Sequence, residues 1–463
     1  MATTSKPTES KGSGWLRWPS GGLGLRLAIG VIVGWIAFGG VSIWRMGSLD
    51  GLPDVGEPFD VAEARRPVAL PDVDNAFVAY AAAHKLVDPP NSIDEARRGL
   101  FFQAVWGNEN KPLTWSSAPP GLCEYLEIKR AALEIWREGS RRRDALHQQP
   151  SRLSVHTEMY LMQDATVFAG MAALEGSRLE DAGAWDAAWD NYLAILRCSR
   201  LIGRHGTLIQ RQYGARIHSL ASRCILRWAA DPNLEAGQLR RALQDTLDAD
   251  ALTPPVSEAI KLDYLSCLEP MEDMRNFERM MLSFGRPRPL FGGQQVGLLD
   301  RLVPWSAQRP IQRFQRDASN ELERSRRVFQ LLFANWLAQA DRLAGRRAPL
   351  AIRKPTWVYA DDPSAPVAAR AMSPESLVRA LDRIEFGFLF GQENTPSDPP
   401  WEGQGDLARE RRRRSVLIVR LATELYRREH GTAPTTAGSL LETALKELPE
   451  GITATDPIPP SLE

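Results

Sequence analysis

The chain has 463 residues, enough for roughly two to four domains, and its 57 basic and 57 acidic residues cancel to zero formal charge. That balance removes any global electrostatic pull toward nucleic acid. Apolar residues at 43% and charged residues at 25% are ordinary for a globular protein, and eight tyrosines against abundant Ala, Leu, Arg and Glu point to helix.

The first element in the chain is apolar. "LAIGVIVGWIAFGGVSIW", Leu27 to Trp44, runs 18 residues without a charge. At about 1.5 Å per residue it spans roughly 27 Å, close to a hydrocarbon core. Lys6, Lys11, Arg17 and Arg26 precede it, and Asp50, Asp54, Glu57 and Asp60 follow Arg45. The basic flank places the amino terminus in the cytoplasm and exports the rest. The expected layout is a tail over 1–22, a transmembrane anchor over 23–45 in contact with lipid through Leu27–Trp44, and a stalk over 46–71. A cleaved signal peptide is the rival reading, but no clean Ala-x-Ala follows. Gly30 and Gly34 form a small-xxx-small pair through which two anchors could meet as a homodimer. Glycines are also common in membrane helices, and that reading carries more weight.

A helical domain is expected over 72–345. Its first helix starts near "DVDNAFVAYAAAHKL", with Asp72 or Asp74 as N-cap and Pro89-Pro90 as its stop. "PPGLCEYLEIKRAALEIWREGSRRRDAL" predicts one long amphipathic helix striped by Leu122, Leu126, Leu133 and Trp136. Next, Trp185, Ala188, Trp189, Tyr192, Leu193 and Leu196 recur at three- and four-residue spacing after Gly183, a turn-forming breaker. With Leu196 and Gly183 this pattern resembles one tetratricopeptide-type hairpin, about one 34-residue unit without a tandem copy. "TLIQRQYGARIHSLASRCILRWAAD" offers Ile209, Tyr213, Ile217, Leu220, Ile225 and Trp228 for packing, and "PNLEAGQLRRALQDTLDAD" starts another helix. Beyond Pro254-Pro255 a helix spans about 257–284, with Pro270 expected to cap, kink or divide it. Patterning returns through Val328, Leu331, Leu332, Trp336, Leu337 and Leu343. A Pro/Gly-rich connection over 346–405 then sets apart a carboxy-terminal unit over 406–463.

In that unit Asp406 begins a helix striped by Leu417, Leu421 and Leu425. Gly431 stands where a left-handed C′ residue is wanted, with Pro434 beyond it. Glu429-His430 then occupies the last helical turn, where a histidine suits the negative helix end. No second histidine lies four residues away, so capping outweighs catalysis. "LATELYRREHGTAPTTAGSLLETALKELPEGITATDP" resembles the segment after the helix in type II secretion major pseudopilins. The matching positions are Tyr426, Gly431, Pro434, Thr435, Thr436, Gly438, Leu440, Leu448, Pro449, Asp456 and Pro457. Anchor and helix are continuous in that family and lie at opposite ends here, so polymerisation as a pilin is not expected. The arrangement of anchor, helical middle and tail is similar to large membrane-anchored proteins of planctomycete-type bacteria, which implies location and architecture but no activity.

Chemistry is sparse. His84, His147, His156, His205, His218 and His430 show no metal-ligand spacing, and no Gly-x-Ser-x-Gly elbow or phosphate-binding glycine loop appears. Arg411 to Arg414 and Arg141 to Arg143 read as solvated helical stretches, and Trp185, Trp189 and Trp228 as core rather than a ligand cage. Of the four cysteines, Cys198 and Cys224 flank one hairpin. Their distances from its turn differ enough to separate them by roughly 20 Å in height, beyond the about 7 Å a disulfide tolerates. Both are expected as free thiols in the core; Cys123 and Cys267 lie far apart.

The sequence therefore predicts a mostly α protein: a single amino-terminal transmembrane helix, then an irregular helical-hairpin region exported from the cell. No residue is assigned a catalytic, cofactor or metal role. A structural or protein-interaction role at the membrane, with a protein partner and no nucleic acid, is favoured. An accessory part of a secretion or pilus-like machine comes second, and an exported hydrolase third.

Overall fold

The apolar stripes become α-helices packed face to face, as seen in a computed structural model of the chain. The described residues are 56–87, 92–106, 114–154, 160–272, 406–441 and 443–459, with scattered positions between 327 and 341. All belong to one unit, Pro53–Glu463. The expected anchor, Gly30 and Gly34, the connection 346–405 and His156 lie outside the described residues. No described helix is long and apolar enough to cross a membrane. Among the described residues the only strand-like pairing is an isolated parallel bridge between Asn75 and Asp144.

Helix α1 (Val61–Ala64) starts at Asp60, whose carboxylate accepts from the Glu63 amide at 2.9 Å. Helix α2 (Ala76–Val87) is capped by Asn75 rather than Asp72 or Asp74. The Asn75 side-chain Oδ1 accepts from Phe77 N–H and Leu146 N–H, while its Nδ2 donates to the Leu146 backbone carbonyl. An aspartate could accept those bonds but not donate the last one. Helix α3 (Ser92–Trp106) follows.

The single long helix read from 119 onward is two helices, α4 (Pro120–Ile128) and α5 (Arg130–Ser140), broken at Lys129 (φ −97°, ψ 12°). The Lys129 ammonium donates to the Leu86 carbonyl at 3.2 Å and lies 3.7 Å from Asp94. The break thus ties this helix pair to the end of α2 and the start of α3. Arg142 is not a solvated charge either: it donates to the backbone carbonyls of Asp72 and Asn75 at 2.7 and 2.6 Å.

Helices α6 (Tyr160–Asp181), α7 (Trp185–Leu201) and α8 (Leu208–Ala229) form consecutive hairpins. Gly183 adopts φ +72°, and Ala184 N–H reaches back to the Leu179 carbonyl, so α6 ends in a Schellman turn. Thr207 and Gln210 exchange side-chain and backbone bonds in a capping box that starts α8. Between the helices Trp189 and Trp228 meet with centroids 5.1 Å apart, and Tyr192, Leu196, Ile217 and Ile225 are fully buried around them. Trp185 packs at the edge of the same core. Ile209, expected inside, is 49% exposed because the start of α8 turns that position to solvent. Cys198 and Cys224 are free and buried, as the hairpin geometry required.

Helix α9 (Ala236–Ala251) is followed by α10 (Val256–Glu272), which carries Pro270 in its last turn. The last helix, α11 (Asp406–His430), stops where the sequence placed it, and Asp406, expected as its N-cap, is within the helix. Leu417, Leu421 and Leu425 join the same core as Trp189 and Trp228, and α11 packs on α8 and α9. The proline-rich connection therefore does not set this segment apart in space.

Candidate functional site

On three helices the buried stripes continue with polar or charged side chains instead of carbon. On α7, Tyr192 and Leu196 are followed four residues on by Arg200, 1% exposed; on α8, Arg211 (2%) and His218 (0%) face it. From α11, Glu410 (2%) enters between them. Arg200 donates through Nη1 to Glu410 Oε1, and Arg211 Nη2 lies 3.5 Å from Glu410 Oε2. One carboxylate is thus shared by two guanidinium groups. Beside it Arg414 grips Asp250 of α9 through two parallel bonds of 2.6 and 2.7 Å. Asp250 lies 3.7 Å from Arg200.

The electrostatics follow from burial and pairing. Burial alone would raise Glu410, but Arg211, Arg200 and Arg414 together hold it below the usual carboxylate range. Asp250 is likewise brought below its ordinary value, against burial, by the bonds from Arg414 and the field of Arg200 and Arg211. Burial pulls Arg200 down to about 10, so it stays charged at neutral pH. His218 is driven well below 6.5, first by burial and then by the surrounding arginines. Arg200 Nη2 donates to His218 Nδ1 at 3.0 Å, which leaves the proton on Nε2, facing Ser222 Oγ at 3.3 Å. His218 is therefore neutral.

A cavity of about 290 Å³ opens on this seam, walled by Arg211, Thr253, Glu410, Arg411, Arg414 and Glu450, with Asp341 also on its lining. Thr253 is placed by the turn that closes α9, where its amide donates to the Asp250 carbonyl at 3.0 Å, and Pro254-Pro255 then lead into α10. Arg411 Nη1 lies 3.5 Å from Glu450, and Asp341 accepts from the Ser257 amide at 3.1 Å at the start of α10. The reading of Arg411 to Arg414 as a solvated stretch is corrected here: Arg414 is part-buried in the seam and Arg411 faces the cavity, because α11 lies in a groove of α8 and α9.

The sequence-level candidates land elsewhere. His430 stacks on Tyr426 (4.1 Å) with Nδ1 3.0 Å from the Tyr426 carbonyl, and Gly431 adopts φ +74° with its amide bonded to the Arg427 carbonyl. Glu429 pairs with Arg240 of α9. This is a helix end with an αL cap. His84 bonds Asp164, whose other oxygen is taken by Arg98 of α3, so that carboxylate holds helices together. His205, at φ 48°, sits between Glu258 (2.9 Å) and Asp144 (3.3 Å). Asp263 of α10 is raised to about 7 by burial, eased by the Leu208 amide at the start of α8; it is not on the cavity lining. Among the described residues no three His, Cys, Asp or Glu side chains converge as metal ligands.

Arg200, Arg211, Asp250, Thr253 and Glu410 escaped the sequence reading. A signal for three of them exists: Arg200 falls on the Tyr192–Leu196 stripe, Arg211 on the His218–Ile225 face, and Glu410 precedes the Leu417–Leu425 stripe. No family model, curated relative or solved structure matches this chain.

Proposed function

We propose that the chain is a single-pass membrane protein, amino terminus in the cytoplasm, whose exported helical domain binds or organises rather than catalyses. The observation that carries this reading is the state of the carboxylates at the cavity. Glu410 and Asp250 are held ionised by arginines, so neither supplies the raised-pKa acid that hydrolytic chemistry needs near neutral pH. The uncharged run Leu27–Trp44 and its basic leading flank support the location. The second reading, an accessory part of a secretion or pilus-like machine, draws on the tail that follows Gly431. There Ala437 and Gly438 donate to the Asp456 and Ala454 carbonyls, folding the pseudopilin-like segment back on itself.

Two measurements on the full-length chain test the proposal. Reporter domains fused after Gly47 should be active only on the exported side; activity in the cytoplasm would overturn the topology. Crosslinking in intact cells should yield one discrete species heavier than the chain, and its second component decides between an organising role and a secretion machine. A chain that stays uncrosslinked and turns over ester or peptide substrates would sink the binding reading.

A further inference from the structure

The seam is not self-sufficient. Inside it, Arg200, Arg211 and Arg414 carry three positive charges, while Asp250 and Glu410 carry two negative ones. His218 is neutral, so one buried positive charge remains. At the rim Arg411 and Glu450 offset each other, and the exposed Asp341, which accepts from the Ser257 amide, brings the charge over seam and rim together to zero. The remainder inside is one of hydrogen bonding. Arg211 is 2% exposed, yet its Nε and Nη1 have no acceptor, and its Nη2 has Glu410 only at 3.5 Å. Thr253 Oγ1, in the same cavity wall, is buried and also without a partner. A guanidinium carries five donors, and leaving them unsatisfied away from water is costly unless something else accepts them.

We propose that this cavity binds the oxyanion group of a small molecule, a carboxylate or a phosphate, with Arg211 as its charged donor and Thr253 as its hydroxyl partner. An oxyanion supplies what Arg211 and Thr253 lack: acceptor lone pairs within reach of the two unpaired guanidinium donors and the Thr253 hydroxyl. Near 290 Å³ the cavity is at the small end of ligand sites, which suits a compact metabolite and not a polymer. Arg414, already bidentate on Asp250, adds its field rather than its donors. The site needs α8, the turn after α9, and α11 together, so occupancy would also fasten the carboxy-terminal segment to the hairpins. The inference stands on the cavity alone and does not require the membrane or partner reading above.

The test is a titration of the full-length chain with inorganic phosphate and, separately, succinate, against chloride at equal ionic strength, read by calorimetry and by Tm. Saturable binding and a rise in Tm with one of the two anions, beyond chloride, is the expected result, and which anion binds assigns the ligand's headgroup. Arg211→Gln should weaken binding about tenfold or more, the worth of a charged hydrogen bond. Thr253→Val is nearly isosteric and removes a hydroxyl that has no partner, so it should leave the unliganded Tm unchanged or raised while still weakening binding. That split separates a ligand contact from a structural one and remains informative if Arg211→Gln does not fold. No saturable response to either anion, or unchanged affinity in Thr253→Val, would overturn the proposal.

Discussion

At one end of α7, Trp189 meets Trp228 of α8 ring against ring; at the other, Arg200 meets Glu410 of α11 charge against charge. Both contacts are buried, the first between consecutive helices and the second between helices 210 residues apart, and they are stabilised differently. The aromatic end draws on area removed from water and tolerates small shifts, at about 25 cal/mol per Å² of apolar surface. The charged end depends on every partner being present, because a buried ion that loses its counter-ion keeps its full desolvation cost. The comparison teaches that α11 is held by hydrophobic burial along Leu417–Leu425 and positioned by the seam at its start.

The largest effect should come from Glu410→Gln, which leaves Arg200 and Arg211 without their shared carboxylate. A loss of about 3–5 kcal/mol in denaturant unfolding is expected. Leu196→Ala, in the apolar part of the same helix, should cost about 3 kcal/mol through lost burial and a cavity. If Glu410→Gln proves milder than Leu196→Ala, the seam is not the demanding half of the comparison.

Two histidines, His205 in the α7–α8 turn and His218 in the middle of α8, sharpen it through pH. His218 is held below its ordinary value near 6.5, so on acidification through that value the unfolded chain binds a proton that the native state refuses, and stability falls. His205 is raised, first by its bond to Glu258 against burial, so its contribution is complete below 6.5 and is lost as pH rises through its folded value. The two oppose each other. His205→Asn should therefore lose stability more steeply than the native chain between about pH 7 and 5. Equal slopes would mean that one of the two environments is misassigned.

Smaller effects belong to the far end of α11. Gly431→Val should cost about 1–3 kcal/mol, because a β-branched residue resists the positive φ found there. His430→Gln should cost about 1 kcal/mol or less, the scale of a helix-end charge. The reverse order of severity would return Glu429-His430 to the list of chemical candidates.

What was legible in the sequence divides along the same line. Periodicity shows where carbon is buried, so the hairpins, the Gly183 turn and the carboxy-terminal end of α11 could be read from Leu, Trp and Gly spacing. The break at Lys129 could not, since the carbonyl on α2 and the carboxylate on α3 that its ammonium meets are remote in sequence. The cavity was illegible for a related reason. Arg200, Arg211, Asp250, Thr253 and Glu410 come from four separate stretches, and only packing makes them neighbours. Each charge on an apolar stripe was a local inconsistency, and such inconsistencies gather where a fold does something besides fold.

Native-state hydrogen exchange on the full-length chain tests most directly whether the seam makes α11 part of the hairpin domain. The core amides of α11, residues 417–425, should exchange with the same free energy as those of α8, residues 217–225, and Glu410→Gln should lower both together. Exchange of α11 at a lower free energy, with Glu410→Gln acting on α11 alone and leaving α8 as it was, would contradict the account.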